Sequence, residues 1–165
     1  MPWKSEFNAI LGARHGGKIA SVLSQLVELD QRYPDVGEIH YQLAWSHEML
    51  GRPKEAVFHY EKSMALGLPA NELSGALLGL GNALRSLGHT ERSLEVLDEG
   101  KAKFPDHREF DVFRALSLHK LGRNNQAISL LLLALADTSE DVGVTANQRI
   151  LRHQAAALAE RAEMA

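Results

Sequence analysis

The sequence predicts an all-α fold: a right-handed superhelical solenoid of antiparallel helix pairs (an alpha-alpha superhelix), closed by a C-terminal capping helix. Three observations predict it. A set of small residues, Ala44, Gly51, Ala56 and Ser63, returns as Gly81, Gly88, Ser93 and Gly100, and again as Ala115, Gly122, Ala127 and Ala134, after shifts of 37 and 34 residues. Recurrence at this period marks a stacked helix-pair repeat, because antiparallel helices approach closely only where the side chains at the crossing are small. Leu50-Gly51, Leu87-Gly88 and Leu121-Gly122 hold the same place in each copy, where glycine takes the left-handed backbone that ends a helix. The composition agrees, being rich in alanine and leucine and poor in β-branched residues.

The elements follow in order. A first helix is expected from about Trp3 to Arg14 and a second from Lys18 to Arg32, with Val22, Leu26 and Leu29 at helical spacing. Gly17, 34 residues before Gly51, marks the turn between them. This pair, 3–36, is divergent, since Ile10, Val22 and Leu29 fill slots that are small elsewhere; terminal repeats are commonly atypical. Repeats are then expected at 37–70, 74–107 and 108–141, the middle one with its first helix opening near Ala70 after Pro69. Leu43 and Leu80 fill large slots in the first helices, and Tyr60, Leu97 and Leu131 in the second. Pro34 and Pro105, after Tyr33 and Phe104, close second helices, because the residue before proline disfavours the helical backbone. Arg114 departs from the large slot, and Leu68 and Ser139 stand where a closing proline is expected. A last helix, 144–163, carries Ile150, Leu151, Ala155, Leu158 and Ala162 as its apolar stripe. It is expected to cover the exposed core face that ends a solenoid. The whole chain, 1–165, reads as one domain without a linker.

The stretch YPDVGEIHYQLAWSHEMLGRPKEAVFHYEKSMALGL, followed by GALLGLGNALRSLG, resembles tetratricopeptide-repeat (TPR) proteins, and among them a group of small bacterial members of unassigned role. The resemblance covers residues 33–140. It implies a TPR-like solenoid whose work is protein–protein interaction, and for that small group it implies self-association into a dimer.

Composition narrows the function classes. The net charge of −3 is too mild for a nucleic-acid or anionic-membrane partner. There is no cysteine, hence no disulfide frame and no thiolate chemistry, which fits a cytoplasmic protein. The opening MPWKSEFNAILGARHGG lacks the apolar core of a secretory signal. The longest apolar run, 128–136, is far short of a membrane span.

Motifs for catalysis are weak. Gly12-Ala13-Arg14-His15-Gly16-Gly17-Lys18 nearly spells a phosphate-binding loop, but Ile19 follows the lysine where a hydroxyl is needed, and helix precedes it where a strand is needed. Gly79-Leu80-Gly81 begins a dinucleotide fingerprint, yet Leu84 replaces its third glycine. Eight histidines raise a metal-binding protein or enzyme as a remote alternative. His40 and His47 share a helix face, but Gly51 stands where a zinc helix needs its second histidine, and His59, His89, His107 and His119 have no tight partner spacing. No catalytic set, metal or cofactor is expected.

The first helices of a helix-pair solenoid line its concave side. Projection gives the partner-binding candidates Tyr41, Trp45 and Met49; Leu78, Asn82 and Arg85; Val112, Leu116 and Lys120, with Glu48, Ser86 and His119 beside them and Phe7, Leu11 and Arg14 joining from the divergent pair. The strip is apolar along its middle, and tryptophan and tyrosine are common anchors. The expected function is therefore a scaffolding module that holds a protein or peptide partner in this groove. A homodimer using the same strip or the C-terminal helix is the alternative, and cover of the strip by the chain's own C-terminal helix folding back is another. A clamp for C-terminal carboxylates is not expected, since Tyr41, Trp45, Leu78 and Phe113 hold positions that such a clamp fills with hydrogen-bond donors.

Overall fold

The computed structural model describes residues 1–14 and 18–164. His15, Gly16 and Gly17, where the first turn is expected and which hold the core of the loop-like glycine motif, lie outside the described residues. Among those described, ten helices follow one another: α1 (Pro2–Ala13), α2 (Ile19–Arg32), α3 (Gly37–Met49), α4 (Pro53–Leu66), α5 (Ala70–Ser86), α6 (Thr90–Lys103), α7 (Glu109–Lys120), α8 (Asn124–Thr138), α9 (Val142–Ala146) and α10 (Gln148–Glu163). The chain divides into two compact units, Met1–Gly88 and His89–Ala165.

In the first unit each helix packs on the next, and α5 also meets α3. Its core joins Trp3, Phe7 and Ile10 of α1 to Val22, Leu23, Leu26 and Leu29 of α2 and to Ile39 and Leu43 of α3. Phe7, expected on the open strip, is instead a core residue, because Trp3, Phe7 and Ile10 form the i, i+4, i+7 stripe with which α1 meets its neighbour. The crossing residues Ala44 and Ala56 are fully buried between α3 and α4.

The helix stops fall where the glycines stand. Gly51, Gly88 and Gly122 have φ of 69°, 86° and 77°. After α3 the Gly51 amide donates to the Glu48 carbonyl (3.0 Å) and the Arg52 amide to that of His47 (2.9 Å), so the last carbonyls stay bonded. Gly67, at φ 92°, ends α4 in place of the missing proline at Leu68. A side chain at such a φ is strained. Gly88→Ala is expected to lower the unfolding free energy by about 1 kcal/mol, measured by urea titration. An unchanged midpoint would mean that the left-handed turn is not required there.

In the second unit α6 packs on α7 and α7 on α8, with Ala115, Leu118 and Ala127 at the crossing. Arg114, the departure from the large apolar slot, has a use. It reaches Asp98 (2.6 Å) and Asp111 (3.2 Å), and Lys101 holds the other Asp111 oxygen at 2.7 Å. Asp111 is buried, so its charge needs these cations. Leu131, expected in an inward large slot, is exposed.

The C-terminal helix differs from expectation in two ways. It is not continuous. The Asp141 carboxylate accepts from the Val144 amide (3.0 Å) to start α9, and the backbone breaks at Asn147 before α10 begins. It also packs on one side of α8 only. Ser129 donates to the Ala155 carbonyl (2.8 Å) and Gln148 to that of Ala136 (2.9 Å). Ala155 is the buried contact, while Ile150 points out to solvent. The opposite side of α8, with Ile128, Leu131 and Leu135, stays exposed. α10 is thus no cap for that face.

Candidate functional site

Three groupings of side chains stand out, each within one unit. The first is the seat of α5 in the groove between α3 and α4. The Tyr41 and Tyr60 rings lie 6.2 Å apart. Gly75 and Gly79 of α5 press on them so closely that a Cβ on either would collide with the tyrosine hydroxyls. Tyr60 donates its hydroxyl proton to Glu48 at 2.7 Å. Asn82 donates to the other Glu48 oxygen, and Arg85 to the Asn82 carbonyl oxygen. Burial, and then the Glu48 carboxylate, push the Tyr60 hydroxyl far above its ordinary pKa. Tyr41 is raised by burial first and by Glu72 second.

This arrangement changes what the candidate residues offer. Tyr41, Leu78, Asn82 and Arg85 are half-buried, and the last two belong to a chain of hydrogen bonds inside the unit. Trp45 is half-buried as well. The Arg14 guanidinium sits 4.0 Å from its ring and donates to Gln42 at 2.6 Å. That contact is worth on the order of 1 kcal/mol. Met49 is exposed.

The second grouping is on α7 and α8. Val112, Leu116 and Lys120 are exposed on α7. Beside them a cleft of about 480 Å³ is lined by Ala115, Leu116 and His119 of α7 and by Asn124, Ala127, Ile128 and Leu131 of α8. Leu116, Ile128, Leu131 and Leu135 are each about 40–47% exposed. Polar groups enter only at one end, where the His119 Nδ1 meets the Asn124 side-chain oxygen at 2.7 Å. Lys120, next to His119, is exposed. Sequence reasoning misses the α8 residues of this cleft, because it assigns Leu131 inward and reads Ile128 as part of a general apolar run.

The third grouping is a column of imidazoles, which sequence reasoning also misses. The His40 and His59 rings stack with centroids 5.2 Å apart, and His59 and His47 at 5.4 Å. His40 is fully buried. Its Nε2 points at the Pro34 carbonyl (3.0 Å) and the Asp30 carboxylate (3.1 Å), and its Nδ1 at the His59 Nδ1 (3.0 Å). A carbonyl only accepts, so the His40 proton sits on Nε2 and His59 donates to the Nδ1 of His40. Burial first, and then His40, His47 and Lys62, depress His59 to about 4; burial likewise depresses His47. Among the described residues no three His, Asp or Glu side chains are arranged to hold a metal ion. Nor, among them, is any helix long and apolar enough to cross a membrane.

The comparisons with known proteins concern the fold. The family model described as tetratrico peptide repeat matches residues 37–158 and so runs through both units. No curated protein matches the sequence. Among solved structures, the MamA protein aligns with a TM-score of 0.71 at 17% identity, over 81% of this chain and 73% of that one. YrrB, described as a TPR protein with an unusual peptide-binding site, aligns with a TM-score of 0.68 at 17% identity, over 98% and 84%. TTC0263, a thermophilic TPR protein of Thermus thermophilus, aligns with a TM-score of 0.67 at 22% identity, over 97% and 89%.

Proposed function

The chain belongs to the tetratricopeptide-repeat family, and we propose that it is a non-catalytic, cytoplasmic interaction module that holds a protein partner on the exposed apolar surface of α7 and α8. One observation carries the reading. Leu116, Ile128 and Leu131 line one cleft, Val112 and Leu135 of the same two helices are exposed with them, and exposed apolar faces ordinarily mark interaction sites. Val112, Leu116 and Lys120 come from the projected groove set; Ile128, Leu131 and Leu135 extend it across α8. Tyr41, Leu78, Asn82 and Arg85 are the weaker part of that set, since they already seat α5. Trp45 and Met49 remain as a second contact, through the Trp45 edge left open beside Arg14.

The test pairs two substitutions. Leu116→Glu is expected to weaken partner association at least tenfold, about 1.4 kcal/mol, with helix content unchanged because the side chain is exposed. Trp45→Ala is expected to weaken it less. Cross-linked capture with wild type and both variants side by side reads the difference. A partner held equally by wild type and Leu116→Glu would move the site off this face. Homodimerisation through the same face is the competing reading, and a mass by light scattering that rises with protein concentration and falls in Leu116→Glu would favour it.

A further inference from the structure

We infer that the α7–α8 cleft takes an amphipathic α-helix of another protein, one with bulky apolar residues at positions i and i+4 and an acidic residue at i+7. The inference rests on the interaction reading above and names its occupant. Its template is inside the chain. The repeat register maps Tyr41, Ala44, Trp45, Glu48, Ala56 and Tyr60 of the α3–α4 pair onto Val112, Ala115, Leu116, His119, Ala127 and Leu131 of the α7–α8 pair. On the first pair this surface is covered by a helix, α5. On the second pair it is exposed, because α10 is bonded to the Ser129 and Ala136 side of α8. The same small floor, Ala115 and Ala127, lets a helix approach closely.

Differences between the two seats specify the occupant. α5 meets Tyr41 and Tyr60 with Gly75 and Gly79, where no larger residue fits. Val112 and Leu131 are shorter than the tyrosines they replace, so the space that the rings fill is left for the incoming side chains. Leucine-sized residues four apart occupy it. Seven residues after Gly75, α5 presents Asn82 to Glu48. The corresponding position faces His119, with the exposed Lys120 next to it. The carboxylate of the first seat is replaced by a basic margin, and the occupant's polar residue is accordingly acidic. Among the described residues no helix supplies such a stripe on an exposed face: Phe58 and Ile150 are followed four positions later by Lys62 and Gln154, and the exposed pairs Val112–Leu116 and Leu131–Leu135 lead to His119 and Thr138 at the seventh position. The occupant is therefore none of these helices and is assigned to a partner protein.

The probe is a labelled 17-residue peptide with the α5 sequence carrying Gly75→Leu, Gly79→Leu and Asn82→Glu. Its two leucines bar it from the α3–α4 seat. Anisotropy titration with the full chain is expected to show binding that drops at least tenfold in Leu116→Glu and in Ile128→Glu, two exposed positions. It is also expected to drop at least tenfold when the peptide's central Leu78 is replaced by proline, which breaks its helix. Equal binding of the proline peptide overturns the helical occupant while leaving the interaction reading intact. Equal binding to both glutamate variants, or no binding at all, overturns the assignment of this cleft to a helix of this pattern. A mass of the unliganded chain that doubles with concentration and returns to the monomer on adding peptide assigns the cleft to a second copy and overturns the foreign partner.

Discussion

Gly100→Leu is expected to lower the unfolding free energy by about 3 kcal/mol, near the upper end of what overpacking costs. Gly100 lies on α6 with its Cα against the face of Phe110 on α7, and any Cβ there would fall inside the ring's contact distance. The ring has no room to retreat. Phe110 is fully buried and stacks on Phe104 and His107, both at centroid distances of 6.5 Å. The helices must separate instead, and separation also loosens the bonds that cross from α6 to α7, Lys101 to the buried Asp111 and Asp98 to Arg114. Urea unfolding followed by circular dichroism checks the figure. A second variant tests the cause. Phe110→Leu alone opens a cavity, yet combined with Gly100→Ala it gives the new methyl space. The double variant is expected to be more stable than the two single losses added together, by at least about 1 kcal/mol, as neighbours in contact require. Simple additivity would mean that the two residues do not share this contact.

The repeat pattern was legible because its cause is local and periodic. A small residue is needed wherever helices cross closely, and a glycine wherever a first helix must turn left-handed, so both recur in register. Ala44, Ala56, Ala115 and Ala127 all lie buried where that register put them. Arg114 was not legible, since its acceptability depends on Asp98 and Asp111 meeting it from two helices. The seat of α10 was hidden for another reason. The run ISLLLLALA is apolar nearly all round α8, so periodicity cannot say whether the Ser129 side or the Leu131 side takes the last helix. Small residues decided it: Ser129 and Ala136 admit the α10 backbone, whereas Ile128, Leu131 and Leu135 hold it off. Trp45 and Phe7 illustrate the limit of projecting one helix at a time. Which half of an apolar residue stays wet depends on what packs beside it, and Arg14 reaches Trp45 from the end of α1.

The imidazole column was beyond any spacing rule, as His40 and His59 lie 19 residues apart on different helices; it makes the fold sensitive to acid. The unfolded chain binds a proton at each histidine near pH 6.5. In the fold His59 resists protonation down to about 4, because burial and the neighbouring His40, His47 and Lys62 all disfavour its charge, and His47 is depressed in the same direction despite Glu55. A histidine depressed in the folded state contributes stability that is complete above about pH 6.5 and is lost as pH falls toward about 4, because the unfolded state takes up protons first. His59 is partly exposed to solvent, which reduces the effect; a loss of about 1–2 kcal/mol between pH 7.5 and pH 5 is expected from it. An ordinary carboxylate titrates near 4, mostly below this window. His59→Asn keeps a donor toward the Nδ1 of His40 and removes the titration. Its stability is expected to be lower at pH 7.5 but to change less between pH 7.5 and pH 5 than that of wild type, in parallel urea titrations. An equally steep loss in His59→Asn would place the acid sensitivity elsewhere, and a flat wild-type profile over the same range would mean that the column is open to solvent and readily protonated.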